Sequence, residues 1–313
     1  GLGDVYKRQA QEERLEDMTP CIACLQGCVA NMYAGKPLCC LVNPVLGRES
    51  EGLPKAEKAK KVYVIGGGVA GMCAAFTAKR RGHDVTLFEA TDKLGGNMRL
   101  AAYPPGKGDI TNMIRNYIHR CQKDGVKIVM NCEVTPELIK EEKPDSVIIA
   151  TGSKTLILPI EGIDNPAIIH GSDLLDGKRA AGKKVLVVGG GMVGCETAAF
   201  LGEQEHDVTV IEFRDTVGAD VIHEHRVYLM KDFEDYGIKE ITGAKVCKFY
   251  EDGVEYETAD GVRHESRGYD SVILSMGFRN YNPLEEKIKD LVPETHVIGD
   301  CLLYTSDAAD EAR

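Results

Sequence analysis

Lys60-Lys61-Val62-Tyr63-Val64-Ile65-Gly66-Gly67-Gly68-Val69-Ala70-Gly71 is answered further along by Lys183-Lys184-Val185-Leu186-Val187-Val188-Gly189-Gly190-Gly191-Met192-Val193-Gly194. From Gly66 to Gly189 the offset is 123 residues, and it also carries His83-Asp84-Val85-Thr86 onto His206-Asp207-Val208-Thr209 and Glu89 onto Glu212. Each copy reads as a buried apolar strand, a glycine turn, an Ala-rich helix and a second strand ending in an acid. That is a βαβ nucleotide-binding unit, present twice.

The chemistry of the motif explains its residues. The first glycine (Gly66, Gly189) permits a tight turn, and the second (Gly68, Gly191) lets the backbone approach a pyrophosphate. The third (Gly71, Gly194) lets the helix pack close to the strand, which puts the positive helix N-terminus at the phosphates. The acids Glu89 and Glu212 lie 18 residues beyond the third glycine in both copies and can accept hydrogen bonds from ribose hydroxyls. The expected fold class is therefore α/β, with two Rossmann-like dinucleotide-binding domains.

The chain has 313 residues, 43% of them hydrophobic and 28% charged, enough for two domains with cores. No apolar run approaches the ~20 residues of a membrane span. A net charge of −11 argues against a nucleic-acid partner. Eleven cysteines with no signal peptide point to reduced thiols and a cytoplasmic protein. The two ends read as foreign. Asp4 to Gln9 can be coded GAT GTG TAT AAG AGA CAG, whose reverse complement, one base out of frame, codes Cys-Leu-Leu-Tyr-Thr-Ser, the sequence of Cys301 to Ser306. Residues 1–9 and 301–313 are accordingly expected to be translated sequencing adaptor, flanking an open fragment.

Ahead of the first repeat, Cys21, Cys24, Cys28 and Cys40 form C-x2-C-x3-C-x11-C, with Cys39 adjacent. Four thiolates are what a cubane iron–sulfur cluster requires, and the short spacings let one loop wrap several corners. Zinc fits less well, because its structural sites pair two close-spaced knuckles. Cys73 and Cys195 lie on the two nucleotide helices and read as core residues. No further C-x2-C pair supports a thioredoxin-reductase-like disulfide.

Leu94-Gly95-Gly96-Asn97, Val147-Ile148-Ile149-Ala150-Thr151-Gly152 and Thr295-His296-Val297-Ile298-Gly299-Asp300 complete the pattern. Here the chain resembles the flavoprotein oxidoreductases with two dinucleotide folds. With the cysteine set and Cys40-Leu41-Val42-Asn43-Pro44, it resembles the C-terminal half of the 2,4-dienoyl-CoA reductase and 2-enoate reductase family, NADH:flavin oxidoreductases of old-yellow-enzyme type. The resemblance implies that the first repeat holds FAD, with Gly96, Asn97, Val134, Thr151, Gly152, Gly299 and Asp300 joining Gly66, Gly68, Gly71 and Glu89. The second then holds a nicotinamide nucleotide and is inserted in the flavin domain. The resemblance also favours Cys40 over Cys39 as the fourth cluster ligand.

The implied plan is a cluster segment over 10–57, a flavin domain over 58–160 and 277–300, and a nicotinamide domain over 161–276. Ser275-Met276-Gly277 is expected to mark the return crossing. Glu212 faces the position of a 2′-phosphate, which favours NADH over NADPH, although Arg214 lies nearby. Glu196 reads either as a nicotinamide-side residue, as in related enzymes, or as a solvated first-turn acid favoured by the helix dipole. Hydride from NADH would reach FAD and then, as single electrons, a [4Fe-4S] cluster. From there they would pass to FMN in an N-terminal TIM barrel outside this segment, which reduces an activated C=C bond of a small-molecule substrate. No catalytic acid–base pair is expected in this segment. Two other readings compete: an electron-entry module like the glutamate synthase small subunit, and a zinc-stapled nucleotide-binding protein without enzymatic activity. Oligomeric state is left open.

Overall fold

A computed structural model describes residues 9–302. The rest of the expected adaptor ends, residues 1–8 and 303–313, lies outside the described residues. Two compact units emerge. One comprises the chain up to Ala102, Gly108–Lys154 and the chain from Asn280; the other comprises Tyr103–Lys107 and Thr155–Arg279.

In the first unit, β1 (Lys61–Ile65) leads through a helix (Val69–Arg80) to β2 (Asp84–Phe88). A second helix (Asp109–Lys123) leads to β3 (Lys127–Val129), and a short one (Pro136–Glu142) to β4 (Ser146–Ile149). The short helix starts where proline takes the first helical position and the Thr135 hydroxyl accepts the Leu138 N–H. β5 (Ser153–Thr155) then carries the chain out of this unit.

The second unit repeats the plan. β6 (Ile169–His170) precedes β7 (Lys184–Val188), a helix (Met192–Glu203), β8 (Asp207–Ile211) and, after a further helix (His223–Asp235), β9 (Lys239–Ile241). An antiparallel meander follows, β10 (Lys245–Tyr250), β11 (Gly253–Glu257) and β12 (Arg263–Arg267). β13 (Ser271–Leu274) then returns to the unit's parallel sheet, between β6 and β7. β14 (Phe278–Asn280) pairs with β5 as the chain returns, and β15 (Glu294–Val297) closes the first sheet.

The sheet orders are β15-β4-β1-β2-β3 and β6-β13-β7-β8-β9, parallel throughout. In each, the central strand has its sequence successor on one side and a later strand on the other. The crevice at its C-terminal end is thus a topological switch point, where doubly wound sheets bind ligands. Alternate residues of each sheet feed different cores, as expected of parallel strands covered on both faces. Val62, Val64, Val85 and Leu87 pack with Met72, Ala75 and Tyr117, whereas Tyr63, Ile65 and Phe88 pack with Ile139 and Leu284. In the second unit Val185, Val187 and Val208 pack with Ala198 and Phe233, and Leu186, Val188 and Ile211 with Phe249 and Val254 of the meander.

Ser275-Met276-Gly277 has a role beyond the expected return crossing. It closes the C-terminal end of β13 over Gly189, as Ala150-Thr151-Gly152 closes β4 over Gly66. Among the described residues no helix is long and apolar enough to cross a membrane.

Candidate functional site

The two glycine turns share one geometry. A Cβ at Gly71 would stand 1.9 Å from the Gly66 carbonyl oxygen, and one at Gly194 would stand 1.8 Å from that of Gly189. Only glycine permits each helix to lie this close to its strand. Gly66 and Gly189 adopt φ of +110° and +105°, and a Cβ on either would collide with the carbonyl of Ala150 or Ser275. The acids play parallel parts. Glu89 Oε2 accepts the Gly67 N–H at 2.8 Å and Glu212 Oε2 accepts the Gly190 N–H at 2.6 Å. The other oxygens take the N–H of Thr91 and Arg214. Each carboxylate therefore locks the turn and stands at the end of the second strand, where a ribose would lie.

The first unit gathers its expected residues around one turn. Gly68 bridges to Gly95, and a Cβ at Gly96 would lie 3.2 Å from the Gly68 Cα. At Gly68 itself an added Cβ would meet nothing within 4 Å, which leaves the helix N-terminus open to a phosphate. Asn97 Nδ2 donates to the Ser153 carbonyl at 3.1 Å. Gly299, at φ +71°, meets the first helical turn at Ala70, with Asp300 following. A cavity of about 270 Å³ is lined by Gly66, Glu89, Val134 and Thr151. Its walls also include Tyr281, Pro283 and Lys287, which sequence reasoning missed. The Thr151 hydroxyl donates to the Tyr281 carbonyl at 2.5 Å and Tyr281 N–H to that of Gly152. This contact spans 130 residues of sequence, so no local pattern announces it. An open helix end beside a walled, largely apolar cavity fits a dinucleotide with its adenosine half enclosed.

In the second unit Glu196 is not a solvated acid. Its side chain is 13% exposed and pairs with Lys107 Nζ at 2.7 Å. Arg214 is exposed beyond Glu212.

The cysteine segment is anchored at both ends on the Asp109–Lys123 helix. Asp17 accepts from Lys123 and His119, and Asn116 Nδ2 donates to the carbonyls of Glu16 and Met18. Downstream, the Tyr117 hydroxyl donates to the Val42 carbonyl at 3.0 Å, and Val42 is buried in the first core. Between these anchors Ala23 and Leu25 take left-handed conformations, φ +51° and +56°, which curl the chain tightly between the cysteines. The Ala23 N–H donates to Cys21 Sγ at 3.3 Å. Cys39 N–H donates to the Gly27 carbonyl, which brings the turn before Cys28 beside Cys39 and Cys40. Free thiols, a curled loop and an N–H aimed at sulfur fit an iron–sulfur ligand set. Among the described residues, however, no three His, Cys, Asp or Glu side chains stand together as a metal site, so the four thiols are not drawn into ligating positions. Convergence of such ligands is driven by the metal–ligand bonds themselves.

Elsewhere, burial pushes the Cys195 and Cys121 thiols up to about 12, which suits packing and not redox chemistry. Cys73 is shifted up for the same reason.

A model of the pyridine nucleotide-disulphide oxidoreductase family matches residues 60–301. The chain belongs to that family. That family is described as one of oxidoreductases that use a pyridine nucleotide. Cinnamate reductase of Clostridium sporogenes is 34% identical over 293 residues, covering 92% of this chain and 44% of its own. NADH oxidase of Thermoanaerobacter brockii is 35% identical over 304 residues, covering 94% and 46%. A solved complex of 2-naphthoyl-CoA reductase aligns with a TM-score of 0.89 at 35% identity, over 94% of this chain and 45% of that one. The resemblance read from the motifs is borne out by these reductases. The chain spans about half the length of the curated relatives it matches.

Proposed function

We propose that this chain is the electron-entry half of an enoate-reductase-type flavoprotein. NADH would bind the second fold, FAD the first, and a [4Fe-4S] cluster Cys21, Cys24, Cys28 and Cys40. When bound, the nicotinamide supplies a hydride, the flavin accepts the pair and releases electrons singly, and the cluster carries them one at a time. The observation that carries this reading is the pair of matched glycine turns together with a cysteine segment pinned to the first unit. Gly68 and the open helix end would receive the flavin pyrophosphate, while Glu89, Val134 and Thr151 would enclose its adenosine half. Glu212 would hold the ribose of the nicotinamide nucleotide and repel a 2′-phosphate, favouring NADH. Glu196, on the nucleotide helix itself and paired with Lys107, would face the nicotinamide half. The Asp109–Lys123 helix would hold the cysteine segment at a set distance from the flavin fold.

The remaining length of the relatives would supply an FMN barrel and the site for a small substrate with an activated C=C bond, such as an enoate or enoyl thioester. A cytosolic setting suits eleven unpaired thiols. The single four-cysteine set weighs against the glutamate-synthase-like module, and its spacing against zinc.

The test is anaerobic expression of the full-length polypeptide and a count of its cofactors. One FMN, one FAD and about four irons per chain support the proposal. FAD with more iron and no FMN would favour the electron-entry module, and zinc without iron would remove the electron path.

A further inference from the structure

The two repeats match down to single hydrogen bonds, so their differences are informative. Gly95 N–H donates to the Gly67 carbonyl at 2.8 Å, and Gly218, 123 residues on, donates to that of Gly190 at 2.7 Å. Two residues beyond each stands a short polar side chain: Asn97 in the first unit, Asp220 in the second. Asn97 turns its amide to Ser153, and the space at Gly68 stays empty to 4 Å. Asp220 does the opposite. Its two carboxylate oxygens accept the Met192 N–H at 2.8 and 3.1 Å, and Oδ2 lies 3.3 Å from where a Gly191 Cβ would stand. Met192 opens the second nucleotide helix, so its N–H is one of the donors a pyrophosphate would take. Asp220 is exposed, with room to swing into solvent.

We propose that Asp220 is a built-in competitor for the pyrophosphate of the nicotinamide dinucleotide, making that ligand exchangeable, while the neutral Asn97 lets the flavin nucleotide stay. The inference rests on the reading that the second fold takes NADH. A carboxylate satisfies a helix N-terminus through the same charge and donors that a phosphate uses, and two anions cannot share them. Binding must therefore expel Asp220, which remains nearby as a like charge, and both effects come off the affinity. A resident flavin gains from an unopposed helix end. A coenzyme that must leave after each turnover gains from a competitor that speeds its release.

The test is an exchange of the two residues in the full-length protein, with NAD⁺ and adenosine as calorimetric probes. Asp220→Asn puts at this position the residue the first unit already carries, and Asp220→Ala is the second variant. Both should bind NAD⁺ about tenfold more tightly, with correspondingly slower release, and adenosine, which lacks the pyrophosphate, as the wild type does. Asn97→Asp should shed FAD more readily on dilution. Unchanged or weaker NAD⁺ binding in both Asp220 variants overturns the proposal, as does equal tightening for adenosine. If the wild type binds no NAD⁺ while holding FAD, the nicotinamide reading itself fails, and the proposal with it.

Discussion

Gly71→Ala is the sharpest perturbation of the first unit. The added Cβ would sit 1.9 Å from the Gly66 oxygen, whereas real Cβ atoms essentially never come within 3.0 Å of a neighbour. The obstacle is backbone, with Ala150 Cβ in ordinary contact at 3.4 Å, so no flexible side chain can yield. The helix must retreat from β1 by about 1 Å, an overpacking cost at the upper end of ~1–3 kcal/mol. Alanine returns ~1 kcal/mol of helix propensity. The net loss is about 2 kcal/mol, or roughly 4–8 °C in the melting of a unit of this size. The same retreat draws the helix N-terminus away from the phosphates, so flavin content should fall with stability. Gly194→Ala is the internal control, with a Cβ 1.8 Å from Gly189 oxygen in the other unit. Differential scanning calorimetry and flavin-to-protein ratios should show Gly71→Ala losing FAD but keeping NAD⁺ affinity, and Gly194→Ala the reverse. A Gly71→Ala protein that melts within 1 °C of wild type with full flavin would refute the reasoning.

Three further outcomes follow from individual side chains. Glu212→Gln removes the charge facing a 2′-phosphate and should narrow the preference for NADH over NADPH about tenfold; an unchanged ratio of dissociation constants contradicts that role. Lys123, His119 and Arg14 hold the Asp17 carboxyl well below the usual carboxylate range. A depressed folded value contributes stability that is complete above the unfolded pKa near ~4 and lost as pH falls through the folded one. Hydrogen exchange of residues 14–19 should therefore show constant protection from pH 7 to 5 and weaker protection below ~4. Loss of protection already at pH 6 would mean that Asp17 does not hold the segment. Alkylation of the folded, metal-free chain should modify exposed Cys21, Cys28 and Cys39 and spare buried Cys121 and Cys195, read by peptide mass spectrometry. Equal labelling would show that the two helices open readily.

Much of this architecture was legible because glycine turns and their acids are local. The contacts of Gly71 with Gly66 and of Glu89 with Gly67 lie within 23 residues, and the repeat displays them twice. The antiparallel meander between β9 and β13 was not read from sequence. Its strands mix charges such as Lys248 and Glu255 with few apolar residues, and their pairing depends on the second unit's far sheet face. Tyr281 and Lys287 were invisible for another reason: topology alone brings them to the Thr151 cavity. The cysteine spacing was plain, yet the structure shows anchors and curls without a closed ligand set, since closure depends on the metal. Asp220 shows what lies between these cases. Its equivalence to Asn97 is simple arithmetic on the sequence, but its meaning needed the hydrogen bonds to Met192.

The central claim is a division of labour between the two folds. Anaerobic titration of the full-length protein with NADH, following the visible flavin absorbance, tests it most directly in wild type, Gly71→Leu and Gly194→Leu. The account predicts bleaching by NADH in the wild type, a protein without FAD for Gly71→Leu, and a fully flavinylated protein that NADH no longer reduces for Gly194→Leu. Prompt reduction of the Gly194→Leu flavin by NADH, or loss of FAD from that variant alone, would contradict it.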